Sequence, residues 1–105
     1  MSLNLRTRIV TTTPYNILTA DTVIFVNVTS GPATVILPSN GIDTEDDGGK
    51  RSFYIKDYSG TSVKNPITVT AAGGKLIDGF SFAILNGGYS HIQVVYDGTN
   101  WMTIA

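Results

Sequence analysis

The stretch Ser90-His91-Ile92-Gln93-Val94-Val95-Tyr96-Asp97-Gly98-Thr99-Asn100-Trp101-Met102-Thr103-Ile104 decides the fold class. Ile92, Val94 and Tyr96 recur every second residue, the spacing at which a β-strand returns side chains to one face. Asp97-Gly98 then supplies the positive φ angles of a primed hairpin turn, so Ser90 to Tyr96 and Trp101 to Ile104 read as paired antiparallel strands. Gly87-Gly88 separates this hairpin from Phe80 to Asn86, which predicts that the last three long strands form an antiparallel meander.

The same period of two runs through the rest of the chain. It predicts strands at Leu5 to Thr13, Thr22 to Thr29, Ala33 to Leu37, Arg51 to Asp57 and Ile67 to Ala71, with a short piece at Lys75 to Ile77. No segment shows the helical period. Ser59-Gly60, Gly73-Gly74 and Asp78-Gly79 punctuate the middle as turns, and Ser39 to Arg51 reads as an exposed loop carrying Asp43, Glu45, Asp46 and Asp47. Short strands at this spacing imply an all-β fold, a single antiparallel β-sandwich of jelly-roll type with about eight or nine strands. No internal repeat or linker is visible, so residues 1–105 are expected to form one domain.

Alternation also assigns faces. The expected core is Ile24, Val26 and Val28, Val35 and Leu37, Phe53 and Ile55, Ile67 and Val69, Phe80, Phe82 and Ile84, and Ile92, Val94 and Tyr96. Val23, Phe25, Ile36, Leu85 and Val95 then fall on the opposite faces and need a second cover, either the facing sheet or another subunit. Val23, Phe25, Ile36 and Val95 are accordingly the expected subunit-interface residues.

The composition narrows the function classes. Charged residues make up 14% of the chain, well below the roughly 25% usual for soluble domains, which points to a surface covered by partners or further copies. A net charge of -1 gives little counterion release, so no nucleic-acid partner is expected. The longest apolar runs, such as Val23-Ile24-Phe25-Val26, are far shorter than the roughly 18 residues of a membrane span, so no membrane insertion is expected. The amino terminus has no apolar core of a secretory signal, which implies synthesis in a cytoplasm. With no cysteine, disulfides and thiolate metal sites are excluded.

Catalysis finds no constellation. His91 is the single histidine, and its alternating neighbours place it opposite Ile92 and Val94, as an exposed or interface residue rather than a general base. No Gly-x-Ser-x-Gly elbow accompanies it. The acidic loop could crowd oxygen ligands around Ca²⁺, but its spacing does not fit an EF-hand, and a solvated loop is the preferred reading. The chain is therefore read as no enzyme, with no catalytic, cofactor or metal residues. Among Tyr15, Tyr54, Tyr58, Tyr89, Tyr96 and Trp101, the pair Tyr54 and Tyr58 is best placed to contact a glycan, whereas Trp101 suits packing at the hairpin base.

The order Val35-Ile36-Leu37-Pro38, Phe53-Tyr54-Ile55-Lys56-Asp57-Tyr58-Ser59-Gly60, Asn65-Pro66-Ile67-Thr68-Val69, Ile77-Asp78-Gly79, Gly88-Tyr89-Ser90 and Asp97-Gly98-Thr99-Asn100-Trp101 resembles a small β domain that recurs in tailed-bacteriophage virion proteins, especially tail fibres. The likeness covers roughly Tyr15 to Ile104. It implies a virion structural protein in a tail fibre, tail tip or capsid surface, commonly a homotrimer contacting other virion proteins and serving host attachment. It carries no catalytic residues over. A carbohydrate-binding module that recognises bacterial surface polysaccharide through Tyr54 and Tyr58 is the alternative. Members of the group often sit within much longer fibre chains, and the long acidic loop at Asp43 to Asp47 is unusual for so compact a pattern.

Overall fold

The computed structural model describes residues 6–18, 21–43 and 49–104. Its strands are β1 (Thr7–Val10), β2 (Tyr15–Asn16), β3 (Val23–Val26), β4 (Ala33–Leu37), β5 (Ile42–Asp43), β6 (Gly49–Lys50), β7 (Ser52–Asp57), β8 (Ile67–Ala71), β9 (Phe82–Leu85), β10 (His91–Tyr96) and β11 (Trp101–Thr103). The only helical element among the described residues is a 3-10 turn at Ala72–Gly74. A five-stranded sheet, here sheet A, has the order β1-β3-β7-β10-β11, and a four-stranded sheet, sheet B, has the order β2-β4-β8-β9. β5 and β6 form a separate ribbon.

The all-β class stands, but the sheets are mixed. β1, β3 and β7 are parallel in sheet A, as are β2, β4 and β8 in sheet B, and within these two sheets only the pairings made by β9, β10 and β11 are antiparallel. The chain therefore crosses from sheet A to sheet B and back, laying one strand in each sheet per coil, for three successive coils. Coil length is uneven, since Thr7 pairs with Val23 while Val23 pairs with Tyr54, and this is why no repeat shows in the sequence. The expected meander is also corrected. β10 and β11 form the hairpin, but β9 pairs with β8 in sheet B, so Gly87-Gly88 carries the chain between sheets.

Stacked coils bring like residues into ladders. Ile24, Ile55 and Ile92 align across sheet A, and Val35, Val69 and Ala83 align across sheet B beside Ala33, Ile67 and Leu85. These inward rows meet between the sheets and are almost wholly buried at Ile24, Ile55, Val35, Val69 and Ile67. Trp101 lies fully buried between Phe53 and Tyr96, its ring centroid 5.6 and 5.1 Å from theirs, and its indole N–H donates to the Pro38 carbonyl at 3.2 Å. Gly41 is required at this end, because a Cβ there would stand 2.3 Å from the Cβ of Tyr96.

Three further expectations change. Phe80, Phe82 and Ile84 are exposed, while Ala83 and Leu85 face the core opposite Val69 and Ile67. Both phases of Phe-Ala-Ile-Leu are apolar, and the register to β8 selects the one with less volume. Lys75 to Ile77 is no strand, although Ile77 makes single bridges to Phe80 and Trp101 and is buried. The loop from Ser39 to Arg51 contains β5 and β6, and Ile42 packs on the core.

Carboxylates tie the crossings together. Asp57, fully buried at the end of β7, accepts through Oδ1 from the Ser59 N–H at 3.2 Å, the Ser59 hydroxyl at 3.1 Å and the Gly60 N–H at 3.0 Å. Its Oδ2 accepts from the N–H groups of Ser62 at 3.0 Å and Tyr89 at 3.1 Å. One carboxylate thus fixes the turn after β7 and joins it to the segment entering β10. Gly60 sits at φ +77 under the Tyr89 ring, where a Cβ would lie 2.5 Å from a ring carbon. Asp21 similarly receives the Tyr15 hydroxyl at 2.5 Å, the Leu18 N–H at 2.9 Å and Arg8 Nε at 2.9 Å. Asp78 receives the Thr103 N–H at 2.8 Å and the Thr103 hydroxyl, and Asp97 receives the Thr99 and Asn100 N–H groups, each at 2.8 Å.

Burial opposes ionisation of Asp57, but its hydrogen bonds outweigh that and hold the carboxyl at about 2, against an ordinary value of 3.8. A carboxyl depressed on folding contributes stability above its unfolded value, and that stability is lost as pH falls through the folded value. Thermal melts should therefore show the domain weakening between about pH 4 and pH 2. Asp57→Ala should cost roughly 2–4 kcal/mol at pH 7, because it strands one buried and three partly buried N–H groups. It should also flatten the acid limb of the melting profile.

Candidate functional site

The strand register gathers apolar and aromatic side chains on the outer face of sheet A. Its rows follow from the pairing. Ile9, Phe25, Lys56 and His91 lie side by side across β1, β3, β7 and β10. Thr7, Val23, Tyr54 and Gln93 form the next row, which Ile104 extends by donating its N–H to the Gln93 carbonyl at 3.0 Å. Ser52, Val95 and Met102 form a third.

Three of the four expected interface residues, Val23, Phe25 and Val95, share this face and are half-buried. Ile36 is placed apart from them, half-buried on the outer face of sheet B beside Thr70. Tyr54 and Tyr58 also belong to the sheet A face, at 37% and 47% exposure. The Tyr58 N–H donates to the Val26 carbonyl at 2.9 Å, which carries the β3–β7 pairing one residue further. The Tyr58 ring stands 5.6 Å from Phe25, tilted by 49°. Phe25 thus supports one side of Tyr58 and leaves its remaining surface to solvent.

Ile9, Met102 and Ile104 join the patch at 55%, 42% and 62% exposure. Ile104 carried a usable signal, since alternation puts it in phase with Met102; Ile9 carried none, because it alternates in phase with Leu5 and Thr7 while Arg6 and Arg8 are in phase with buried Val10. Tyr89 carried none. It is exposed at φ 58, with its ring 5.8 Å from the Lys56 ammonium, which donates to the Tyr89 carbonyl.

The face has little with which to do acid–base chemistry. His91 is exposed, and its cross-strand neighbour is Lys56 rather than the carboxylate that orients the histidine of a Ser-His-Asp triad. Of the eight acidic residues in the sequence, Asp21, Asp57, Asp78 and Asp97 are engaged by turn donors. Asp43 belongs to β5 by its backbone; its side chain and Glu45, Asp46 and Asp47 lie outside the described residues, and with them the calcium reading. No outward position of sheet A or sheet B among the described residues carries a carboxylate.

Tyr58 should be worth modest stability through Phe25. A double-mutant cycle on Phe25→Ala and Tyr58→Ala, read by urea denaturation, should give a coupling of about 0.5–1.5 kcal/mol. No family model matches the chain, and no curated protein matches its sequence.

Proposed function

We propose that this chain is a structural domain of a bacteriophage virion, in a tail fibre, tail tip or capsid-surface component, and that it works without catalysis by self-association. The observation that carries this reading is the outer face of sheet A, where Val23, Phe25 and Val95 meet Ile9, Tyr54, Tyr58, Met102 and Ile104 with only Lys56 and His91 as titratable bases. A contiguous apolar patch of this kind marks an interaction site. The sequence motifs that resemble phage fibre domains support the reading from a second side. Leu37-Pro38, Asp57 to Gly60, Asp78-Gly79 and Asp97 to Trp101 all serve as turn and crossing locks, as suits a domain whose business is shape. A homotrimer is the assembly that the resemblance favours.

Light scattering on the purified chain at tens of micromolar should return three times the monomer mass. Phe25→Lys with Val95→Lys should lower it to one, with the near-ultraviolet signal of buried Trp101 retained. A parent chain that stays monomeric refutes the trimer.

Glycan binding is a second reading, favoured by one feature: Tyr54 and Tyr58 lie on the same face, with Tyr58 buttressed by Phe25 and with Gln93 and Lys56 beside Tyr54 and Phe25 as hydrogen-bonding groups. Bacterial surface polysaccharide should then bind the parent chain and lose at least tenfold in affinity on Tyr58→Ala. Absence of binding by the parent on host polysaccharide removes this reading and leaves the structural one standing.

A further inference from the structure

β9 is the one edge of the two large sheets, among the described residues, that has no charge, no proline and no covering segment against pairing. An edge strand offers a row of unpaired N–H and C=O groups, and monomeric proteins blunt such edges with charge, proline, shortness or a covering segment. The other three edges of the two large sheets follow that rule. β1 carries Arg8 and follows Arg6. β2 is two residues long and follows Pro14. β11 is covered by residues 76–78, since the Trp101 N–H donates to the Leu76 carbonyl, the Asp78 N–H to the Trp101 carbonyl, and the Thr103 N–H to the Asp78 carboxylate. β9, the last strand of sheet B, runs Phe82-Ala83-Ile84-Leu85 between Ser81 and Asn86, with no charge and no proline.

The side chains at that edge are unusual in the same direction. Phe80, Phe82 and Ile84 are 71%, 49% and 48% exposed, while smaller Ala83 turns inward. The outer face that they continue bears Asn16, Thr34, Ile36, Thr68 and Thr70, uncharged throughout. A partner recognised by charge has nothing to grip here. An identical edge does, because an antiparallel pair of β9 strands about a two-fold axis sets Phe82 across from Ile84 of the second copy, and Ile84 across from its Phe82, with Ala83 meeting Ala83. Both apolar cross-strand pairs then lie on the same side of one continuous eight-stranded sheet.

We propose that β9 is a self-pairing edge that joins sheet B of one copy to sheet B of a second copy, antiparallel and in this register. Its exposed side chains offer roughly 300 Å² of apolar area per copy. That falls short of the roughly 1,000 Å² in total that a stable isolated interface buries. The contact is therefore weak alone and gains strength by avidity within a larger assembly. It uses a different surface from the face of sheet A, so variants at Phe25 and at β9 report on the two separately.

The chain has no cysteine, which makes cross-linking clean. Phe82→Cys and Ile84→Cys chains should be oxidised separately and as an equimolar mixture at several hundred micromolar, with Thr29→Cys, at an exposed position in another loop, as the control partner. The mixture should yield several-fold more disulfide dimer than either variant alone or than either with the control. A Phe82→Lys/Ile84→Lys chain should show a lower weight-average mass than the parent over the same concentration range. Equal cross-linking in all mixtures, or none, together with an unchanged mass in the lysine variant, overturns the proposal.

Discussion

The buried carboxylate of Asp57 is the interaction on which the rest of this structure depends. The fold winds the chain between two sheets, and each crossing exposes backbone donors that neither sheet can satisfy. At the crossing out of β7 those donors converge on one acceptor, since Ser59, Gly60, Ser62 and Tyr89 all present N–H groups to Asp57. The last comes from a segment far along the chain, so the same carboxylate sets where β10 begins beside β7. A buried charge is tolerable only when several donors surround it, and here the donors are main-chain groups that would otherwise be orphaned. Neighbouring bonds extend the knot: Ser62 donates its hydroxyl to the Gly87 carbonyl at 2.7 Å, and the Asn65 amide donates to the Val28 carbonyl at 2.7 Å.

The same device recurs at smaller scale, and it explains why sequence motifs that look functional are spent on architecture. In Asp97-Gly98-Thr99-Asn100 the aspartate collects two turn N–H groups, while Asn100 accepts from the Leu76 N–H at 2.9 Å and so ties the hairpin to the segment beside it. In Ile77-Asp78-Gly79 the isoleucine is buried and the aspartate reaches β11. Each motif pairs an inward apolar residue with an outward acceptor, which is what a tight turn over a core requires.

Much of this was legible in the chain. The period of two located β4 and β8 to the residue and put Ile24, Val35, Phe53, Ile55, Ile67 and Val94 inside, because burial on one face of a strand leaves that imprint whatever the strand's neighbour. Direction of pairing leaves no such imprint. Parallel and antiparallel strands share the alternation, so three coils of uneven length looked like a run of hairpins. β9 failed for a different reason: Phe80, Phe82 and Ile84 outweigh Ala83 and Leu85 in apolar volume, and only the register to Ile67 and Val69 decides which set turns inward. At the candidate site, Tyr54, Val23, Phe25 and Val95 were recoverable from alternation alone. That they share one face, and that Ile36 does not, depends on strand order, which a single sequence does not encode locally.

The distribution of charge follows from these constraints. Four of the eight acidic residues are engaged in turns, and the outward positions of both sheets lack carboxylates altogether among the described residues. The two outer faces are nonetheless unlike. Sheet A mixes aromatic rings with Lys56, His91 and Gln93, groups that can orient a polar ligand or a partner's backbone. Sheet B offers threonine hydroxyls and an aliphatic–aromatic edge, which favour close, unoriented packing and strand addition over recognition of a charged group. Asp21, Asp57, Asp78 and Asp97 thus serve the turns and crossings, and the sheets they join present two chemically different surfaces facing away from each other across one core.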